Sequence, residues 1–336
     1  MTKTDSLISI IMPVKDTAQY LPDCLESITS QTHKNWELIA VDDHSTDESF
    51  QIIERYALAD KRIKPCTNSG TGIIEALKTG YALSKGHFIT RMDSDDKMAP
   101  EKLSTMLRQL EDYGKGRIAT GLVHYFSASP LGDGYKKYQN WLNNLSSTGT
   151  NFNDLYKECP IPSPCWMVFR SDFEKCKAFN SQIYPEDYDL CFRFYLNGLQ
   201  CIPADAILHY WRDYSNRTSR TNAHYSDNRF LSIKLHYFFN LHYNSDKTLV
   251  VWGAGKKGKQ VAKHCAEKSI PFRWITNNEK KVGKEIYGII LEQEQNFRLH
   301  DTQIIVTIAN SEEKKEVNRR FEEHQLYSMK HFFWFC

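Results

Sequence analysis

The stretch Arg91-Met92-Asp93-Ser94-Asp95-Asp96, reached directly from the apolar run Gly86-His87-Phe88-Ile89-Thr90, decides how this chain is read. The apolar run reads as a buried strand. Three carboxylates crowd its end, with Lys97 following and Pro100 closing the turn. Like charges this close repel, and each one beside an apolar sheet loses hydration unless something neutralises it. A divalent cation does so, and carboxylate oxygens suit Mg²⁺ or Mn²⁺, ions that keep positions open for substrate phosphates. The same residues also fit an acidic turn at the start of a helix near Pro100, because Asp favours helix N-termini.

Upstream, strands and helices alternate. Leu7-Ile8-Ser9-Ile10-Ile11-Met12 is a nearly continuous apolar run ending at Pro13, as in a strand buried on both faces. Tyr20, Leu21, Cys24, Leu25 and Ile28 then follow at helical spacing. Trp36 to Val41 is a second strand, ending in Asp42-Asp43-His44-Ser45-Thr46-Asp47. Helical spacing resumes from Phe50 to Leu58, Arg62 to Pro65 forms a short strand, and Ile73 to Leu83 is the next helix. This alternation predicts an α/β fold with a mostly parallel, doubly wound sheet, whose ligands bind beyond the carboxyl ends of the strands. Pro13-Val14-Lys15-Asp16, Asp42-Asp43 and Asp93-Ser94-Asp95 all fall at those ends.

Downstream, Gly132 to Thr150 is rich in Gly, Asn, Ser and Tyr and reads as a mobile loop near an acceptor site. A proline-rich segment from Pro160 to Pro164 leads into a strand over Cys165 to Phe169. A helix carrying Asp187 near its start runs to Asn197-Gly198. Short strands follow at Cys201 to Pro203 and Ala206 to Arg212, then an aromatic-rich helix from about Asp227 to Tyr243. Thr248 to Trp252 opens a new βαβ unit with the turn Gly253-Ala254-Gly255-Lys256-Lys257-Gly258. The strand Ile304 to Ile308 and a charged helix from Ser311 to His324 complete it. Domains are expected over 1–222 and 247–336, the second Rossmann-like, with a helical linker over 223–246.

Met12-Pro13-Val14-Lys15, Val41-Asp42-Asp43-His44-Ser45-Thr46-Asp47, Asn68-Ser69-Gly70 and Met92-Asp93-Ser94-Asp95-Asp96 resemble the successive motifs of the family 2 glycosyltransferases. Pro185-Glu186-Asp187-Tyr188-Asp189-Leu190 with Arg193 resembles that family's later acidic motif, so the likeness covers roughly residues 6 to 220. It implies a GT-A-type domain that moves a sugar, with inversion, from a nucleotide-diphospho-sugar donor to a hydroxyl of a glycan or lipid-linked acceptor. Lys15-Asp16, where members often have Tyr-Asn, and Leu77-Lys78, where an Arg-Asn-type pair is common, depart from the pattern.

On that resemblance Asp95 is the direct metal ligand, Asp93 holds metal or ribose, and Asp96 caps the next helix. Asp43 meets the nucleobase in a pocket lined by Pro13 and Val14, and Lys15, Asp16, Asn68 and Ser94 also bind the donor, while Lys78 is set against a phosphate or against solvent. Asp187 is the general base, with Glu186 and Asp189 raising its pKa by repulsion, and Glu186 is also a candidate for acceptor or diphosphate contact. His209 completes the metal site, and Arg212 contacts diphosphate or acceptor. Trp166 and Trp211 stack on sugar rings or pack in the core. Gly253, Gly255 and Gly258 either seat a pyrophosphate on a helix N-terminus or serve a structural module. The competing function is an NAD(P)- or nucleotide-sugar-binding oxidoreductase or epimerase working through that glycine turn. It lacks a Tyr-x-x-x-Lys dyad after the turn.

The totals narrow the field. With 43 Lys plus Arg against 41 Asp plus Glu, the formal net charge is +2, which disfavours nucleic acid as partner. Nine scattered cysteines without a C-x-x-C pair indicate neither a disulfide framework nor zinc, and a reducing compartment fits. Nowhere do 18 apolar residues run together, so a cytoplasmic protein is expected. The sequence leaves open a peripheral contact with the inner membrane face and a homo-oligomer through the C-terminal domain. The aromatic tail Phe332-Phe333-Trp334-Phe335 is expected to pack inside that domain.

Overall fold

A computed structural model describes residues 6–128, 130–215, 217, 230–297 and 299–336. The chain forms two compact units, Met1–Phe152 with Pro160–Thr221, and Asn153–Cys159 with Asn222–Cys336. The first contains β1 (Ile8–Val14), α1 (Leu21–Thr29), β2 (Trp36–Asp42), α2 (Ser49–Ala59), β3 (Ile63–Thr67), α3 (Ile73–Leu83), β4 (Phe88–Arg91) and β5 (Lys97–Met98). It continues through α4 (Lys102–Tyr113), β6 (Arg117–Thr120), β7 (Leu122–Ser127), α5 (Asp133–Thr148), β8 (Trp166–Phe169), α6 (Arg170–Lys175), α7 (Glu186–Leu196), β9 (Gln200–Cys201) and β10 (Ile207–Asp213).

All of β2, and all of β1 except Pro13, is buried, which is why both read as unbroken apolar runs. They are the second and third strands of a seven-stranded sheet ordered β3-β2-β1-β4-β8-β6-β9. The first four strands in that order run parallel, whereas β8 is antiparallel to both β4 and β6. The sheet is therefore mixed and mostly parallel. Val14 lies opposite Asp42, Asp42 opposite Thr67, and Ile11 opposite Arg91, so the carboxyl ends of four strands share one edge.

A second, three-stranded sheet ordered β5-β10-β7 follows the acidic turn immediately. His209 of β10 pairs with Met98 of β5, and Trp211 pairs with Tyr125 of β7. This pairing sets β10 against the turn at the end of β4, although more than a hundred residues separate them in sequence.

The expected loop over Gly132 to Thr150 is instead the helix α5, ended by Gly149 in the left-handed conformation. Its composition concealed an amphipathic face. Leu142 is wholly buried, and Tyr135, Tyr138 and Trp141 pack against the core one turn apart.

The second unit comprises α8 (Phe230–Leu241), β11 (Thr248–Trp252), α9 (Lys256–Glu267), β12 (Arg273–Thr276), β13 (Glu285–Ile286), β14 (Ile289–Gln293), β15 (Thr302–Val306), α10 (Ser311–Glu323) and β16 (Phe332–Trp334). Its sheet is ordered β13-β14-β12-β11-β15-β16, parallel except for the β13–β14 hairpin. Of the expected linker, residues 223–229 lie outside the described residues. The rest does not stand apart: Phe238 of α8 is wholly buried, 5.0 Å in ring separation from Phe333. The segment Asn153–Cys159 also clusters here, where Tyr156 stacks on Phe335 at 5.3 Å. The aromatic tail thus packs inside, with Phe333 and Phe335 wholly buried.

Two glycines of the 253–258 turn are required by packing. Gly253 has φ +115°, and a Cβ on Gly258 would stand 2.0 Å from the Gly253 carbonyl oxygen. Backbone cannot yield as a side-chain tip would. Gly258→Ala is expected to lower the stability of this unit by about 2 kcal/mol or more. Exposed Lys259→Ala on the same helix should change it by only a few tenths, about the propensity difference. Urea titration of both variants checks this.

Candidate active site

The acidic turn sits at the shared sheet edge, and each of its carboxylates has a different partner. Asp93 is held by Arg91, which donates from Nε to Asp93 Oδ1 at 3.1 Å. The same guanidinium donates from Nη1 to Glu186 Oε1 at 2.9 Å. Arg91 is 5 % exposed and therefore ties the turn to the first residue of α7 in a low-dielectric setting, where such a fork is directional. Ser94 shares a 2.9 Å hydroxyl contact with Thr17. Asp95 accepts from the Tyr214 hydroxyl at 2.9 Å through Oδ2, and its carbonyl accepts from Arg212 Nε at 2.8 Å. Burial, with the charges of Asp96 and Asp93 beside it, pushes the Asp95 carboxyl up to about 7.

Asp96 and His209 depart from expectation. Asp96 is wholly buried and caps no helix. One oxygen meets His209 Nε2 at 3.0 Å and the other accepts the Arg212 backbone N–H at 2.8 Å. The other ring nitrogen of His209, Nδ1, lies 3.2 Å from the Lys102 ammonium. Both nitrogens of His209 are occupied by protein, so it does not face the open side of the turn as a metal ligand would.

At the β1–β2 end, Asp43 accepts from Asn68 Nδ2 at 2.6 Å and from the Gly72 N–H at 2.9 Å. Its backbone N–H binds the Val14 carbonyl at 2.8 Å, which locks the motif following β2 onto the end of β1. Lys15 turns its ammonium onto the carbonyls of Asp43 and His44, at 2.6 and 2.7 Å. Asp16, with φ +49°, accepts from the Thr46 N–H at 2.6 Å. Pro13, Val14, Lys15, Asp16, Asp43 and Asn68 are therefore one connected cluster. Lys78 is outside it, ion-paired at 2.8 Å with Glu75 on its own helix.

Asp187 is the second residue of α7, and its Oδ1 accepts from the Tyr188 N–H at 2.7 Å. Burial and the charge of neighbouring Glu186 push its carboxyl up to about 7, against the pull of Arg91. Glu186 Oε2 is buried with no hydrogen-bond partner among the described residues. Asp189 is taken by Arg193 at 2.7 Å, as its spacing on the helix implies.

Trp166 is 3 % exposed and packed among Phe173, Phe179 and Phe194, so it is core and cannot stack on a sugar. Trp211 is also buried, stacked on Tyr125 at 5.1 Å with Arg217 over its ring. Arg212 is at the site: its Nη2 meets Asp23 at 2.8 Å and its plane lies over Tyr20 and Phe126. Sequence reasoning missed Arg91, Lys102, Tyr214 and Arg217. Lys102 left a signal, since it shares a helix face with Met106 and Leu110, both wholly buried.

Among the described residues, no group of three or more His, Cys, Asp or Glu is gathered to hold a metal by protein alone. Mg²⁺ and Mn²⁺ commonly use one or two carboxylates and take the remainder from substrate phosphates and water. Asp93 and Asp95 are hard donors of that kind, and the burial and neighbouring charge that raise Asp95 are costs a cation would offset. The donor set fits.

The C-terminal glycine turn differs from a dinucleotide site at one position. Asn277, just after β12, accepts from Trp252 Nε1 at 2.9 Å, where a ribose-binding acid would be expected. Gly255 alone of the three glycines faces open space.

Comparison with known proteins agrees with the fold. The chain is 33% identical over 160 residues to the glycosyltransferase GlyA of Streptococcus pneumoniae, covering 46% of this chain but only 22% of that protein. It is 27% identical over 250 residues to an uncharacterized glycosyltransferase of Haemophilus influenzae, covering 70% of this chain and 75% of that one. Among solved structures, S. aureus TarS residues 1–349, in complex with UDP-GlcNAc, superposes with a TM-score of 0.51 at 17% identity, over 70% of this chain and 68% of that one. That likeness is one of fold. The pattern of the family described as Glycosyl transferase family 2 matches residues 9–177, the stretch that supplies the Asp43 cluster and the acidic turn. This chain belongs to glycosyltransferase family 2.

Proposed function

We propose that the first unit is an inverting, metal-dependent transferase that moves a sugar from a nucleotide-diphospho-sugar to a hydroxyl of a glycan or lipid-linked acceptor. The observation that carries this is Arg91, whose guanidinium joins the acidic turn to the helix bearing Asp187. Donor-side and acceptor-side carboxylates are thereby held in one frame. Asp187 lies beyond the matched stretch 9–177, so its role rests on this geometry and its raised pKa.

The acceptor hydroxyl loses its proton to Asp187 as its oxygen bonds to the anomeric carbon. The bond from that carbon to the β-phosphate oxygen breaks on the opposite face, and the diphosphate leaves with the electron pair. Asp95 and Asp93 would hold the cation, which when bound stabilises the departing diphosphate as a Lewis acid. Asp43 and Asn68, with Pro13, Val14, Lys15 and Asp16 around them, form the nucleoside end. Arg212 is the diphosphate or acceptor contact, and the bare oxygen of buried Glu186 suits a sugar hydroxyl.

The second unit is proposed as a Rossmann-like module that docks structure or a partner, including a second copy of this chain. An oxidoreductase acting through it finds no support, since the matched family and the relatives named above are glycosyltransferases. No helix of the described residues is long and apolar enough to cross a membrane. A cytoplasmic protein working at the inner membrane face is the localisation proposed with this reading.

A donor panel tests it: UDP-, GDP-, CMP- and TDP-sugars with and without Mn²⁺, scored for nucleotide release. One donor should release nucleotide only with metal, and Asp95→Ala should abolish the release. Absence both of release and of metal-dependent nucleotide binding across the panel would overturn the reading.

Asp187 gives a second expectation, in two parts. Its carboxylate must be ionised to accept a proton, so the transfer rate should rise about tenfold per pH unit below about 7 and level off above. Asp187→Asn should cost about 10²-fold or more. Stability should move the other way. A carboxyl raised from 3.8 in the unfolded chain to about 7 in the native one stabilises below 3.8, and this is lost as pH rises through 7. Asp187→Asn escapes the loss, so its advantage in urea titration should grow from pH 4 to pH 8. A variant that kept full activity, or an advantage independent of pH, would remove Asp187 from the role.

A further inference from the structure

We propose that Lys102, His209 and Asp96 form a buried relay that positions the acidic turn, with His209 acting through Asp96 and never on a bound ion. Its effect on catalysis rests on the nucleotide-sugar reading above. Its existence does not.

The three side chains come from α4, β10 and the turn, and all are 0 % exposed. Lys102 Nζ donates to the Pro164 carbonyl at 2.6 Å and faces His209 Nδ1 at 3.2 Å. His209 Nε2 faces Asp96 Oδ2 at 3.0 Å. With Lys102 as an ammonium, which only donates, and Asp96 as a carboxylate, which only accepts, the ring between them accepts at Nδ1 and donates at Nε2. That is the neutral Nε2–H tautomer. A second ring proton would point at that ammonium 3.2 Å away, which disfavours a charged imidazole. Metal ligation is disfavoured as well, because neither nitrogen keeps a lone pair directed at the open side of the turn.

The chain of contacts does not stop at Asp96. Its other oxygen accepts the Arg212 N–H at 2.8 Å, Arg212 Nε returns to the Asp95 carbonyl at 2.8 Å, and Tyr214, two residues on, holds the Asp95 carboxylate. From Lys102 onward, each group fixes the next until Asp95 is fixed in both backbone and side chain. Apolar residues of the same volume would fill this interior without desolvating two charges, so stability alone does not call for the relay. Direction does: only hydrogen bonds set the angle of the turn that presents Asp95.

The test uses the full chain. Selective ¹⁵N labelling of histidine reads the His209 ring directly. The expected result is a neutral Nε2–H tautomer that is unmoved when Mg²⁺ is added. The opposite tautomer, a charged ring at pH 7, or a shift of the ring nitrogens on Mg²⁺ addition would overturn the proposal. This arm needs no substrate and no folded variant. It therefore still decides if wild type binds no metal and no nucleotide, the result that would defeat the nucleotide-sugar reading instead.

The second arm measures Mn²⁺ affinity and, on the donor identified by the panel, kcat and KM. Glutamine offers one acceptor and one donor and should preserve the relay, so His209→Gln is expected within about threefold of wild type in Mn²⁺ affinity and kcat, whereas His209→Leu and Lys102→Met should lose about tenfold or more in kcat, with KM changing less. A folded His209→Leu equal to wild type, or a His209→Gln as impaired as His209→Leu, would overturn the positioning role.

Discussion

Negative charge crowded at one sheet edge is the constraint around which the first unit is built. Asp93, Asp95, Asp96, Glu186 and Asp187 gather there, and each one ionised raises the cost of ionising the next. A fold that needs these carboxylates must supply positive charge without occupying every oxygen. The structure divides that task among named residues. Arg91 holds one oxygen of Asp93 and one of Glu186, leaving Glu186 Oε2 bare. Asp96 has both oxygens engaged, by His209 and a backbone N–H, although burial raises its carboxyl to about 7 as well. Among the described residues the Asp95 carboxylate accepts from one phenol, and burial raises it against the pull of Arg217. Among the described residues the cluster is graded by contacts, from Asp96 with both oxygens engaged to Asp95 and Glu186 with one each, and the latter are among those to which chemistry is proposed.

The backbone makes such grading possible. Four parallel strands end in register, so Val14, Asp42 and Arg91 reach the same edge without long loops. Parallel strands buried on both faces leave only their ends for polar groups. The small β5-β10-β7 sheet then brings Arg212 and His209 beside the turn by pairing with Lys97–Met98, the two residues immediately after it. A site built from strand ends and one short cross-pairing is stiff where it must be, because moving Asp95 means moving a ladder.

What the sequence revealed follows the range of the interactions involved. The motifs at Asp43 and Asp93 are local: strand pattern, turn and carboxylates lie within a dozen residues, so both the edge and its acids were legible. The α/β alternation was legible for the same reason. Partnerships across long separations were not. Arg91 stands inside the most informative stretch, yet nothing local says that it reaches Glu186, 95 residues on. His209 reads as a metal ligand because its strand ends level with the acidic turn, and only its contacts with Asp96 and Lys102 redirect it. Trp166 was ambiguous because an aromatic serves core and sugar equally well, and three phenylalanines decided for the core. Residues 133–148 misled in another way, since Gly, Asn and Ser there masked a face whose aromatic spacing was helical.

The second unit shows why a glycine pattern needs its reason stated. Glycine is required where φ is positive, where backbones touch, or where a ligand must approach closely. Gly253 meets the first condition and Gly258 the second, each without any ligand. Only Gly255, with open space around it, is free for the third. The residue that would discriminate a dinucleotide, at the end of β12, is Asn277, and its amide oxygen is already engaged by Trp252. Two glycines explained by packing, and one acidic partner replaced, leave the turn as a device for seating α9 close against β11 and the Thr307 segment. The fingerprint marks how this unit is packed. The chemistry proposed for this chain belongs instead to the carboxylates gathered at the edge of the other sheet.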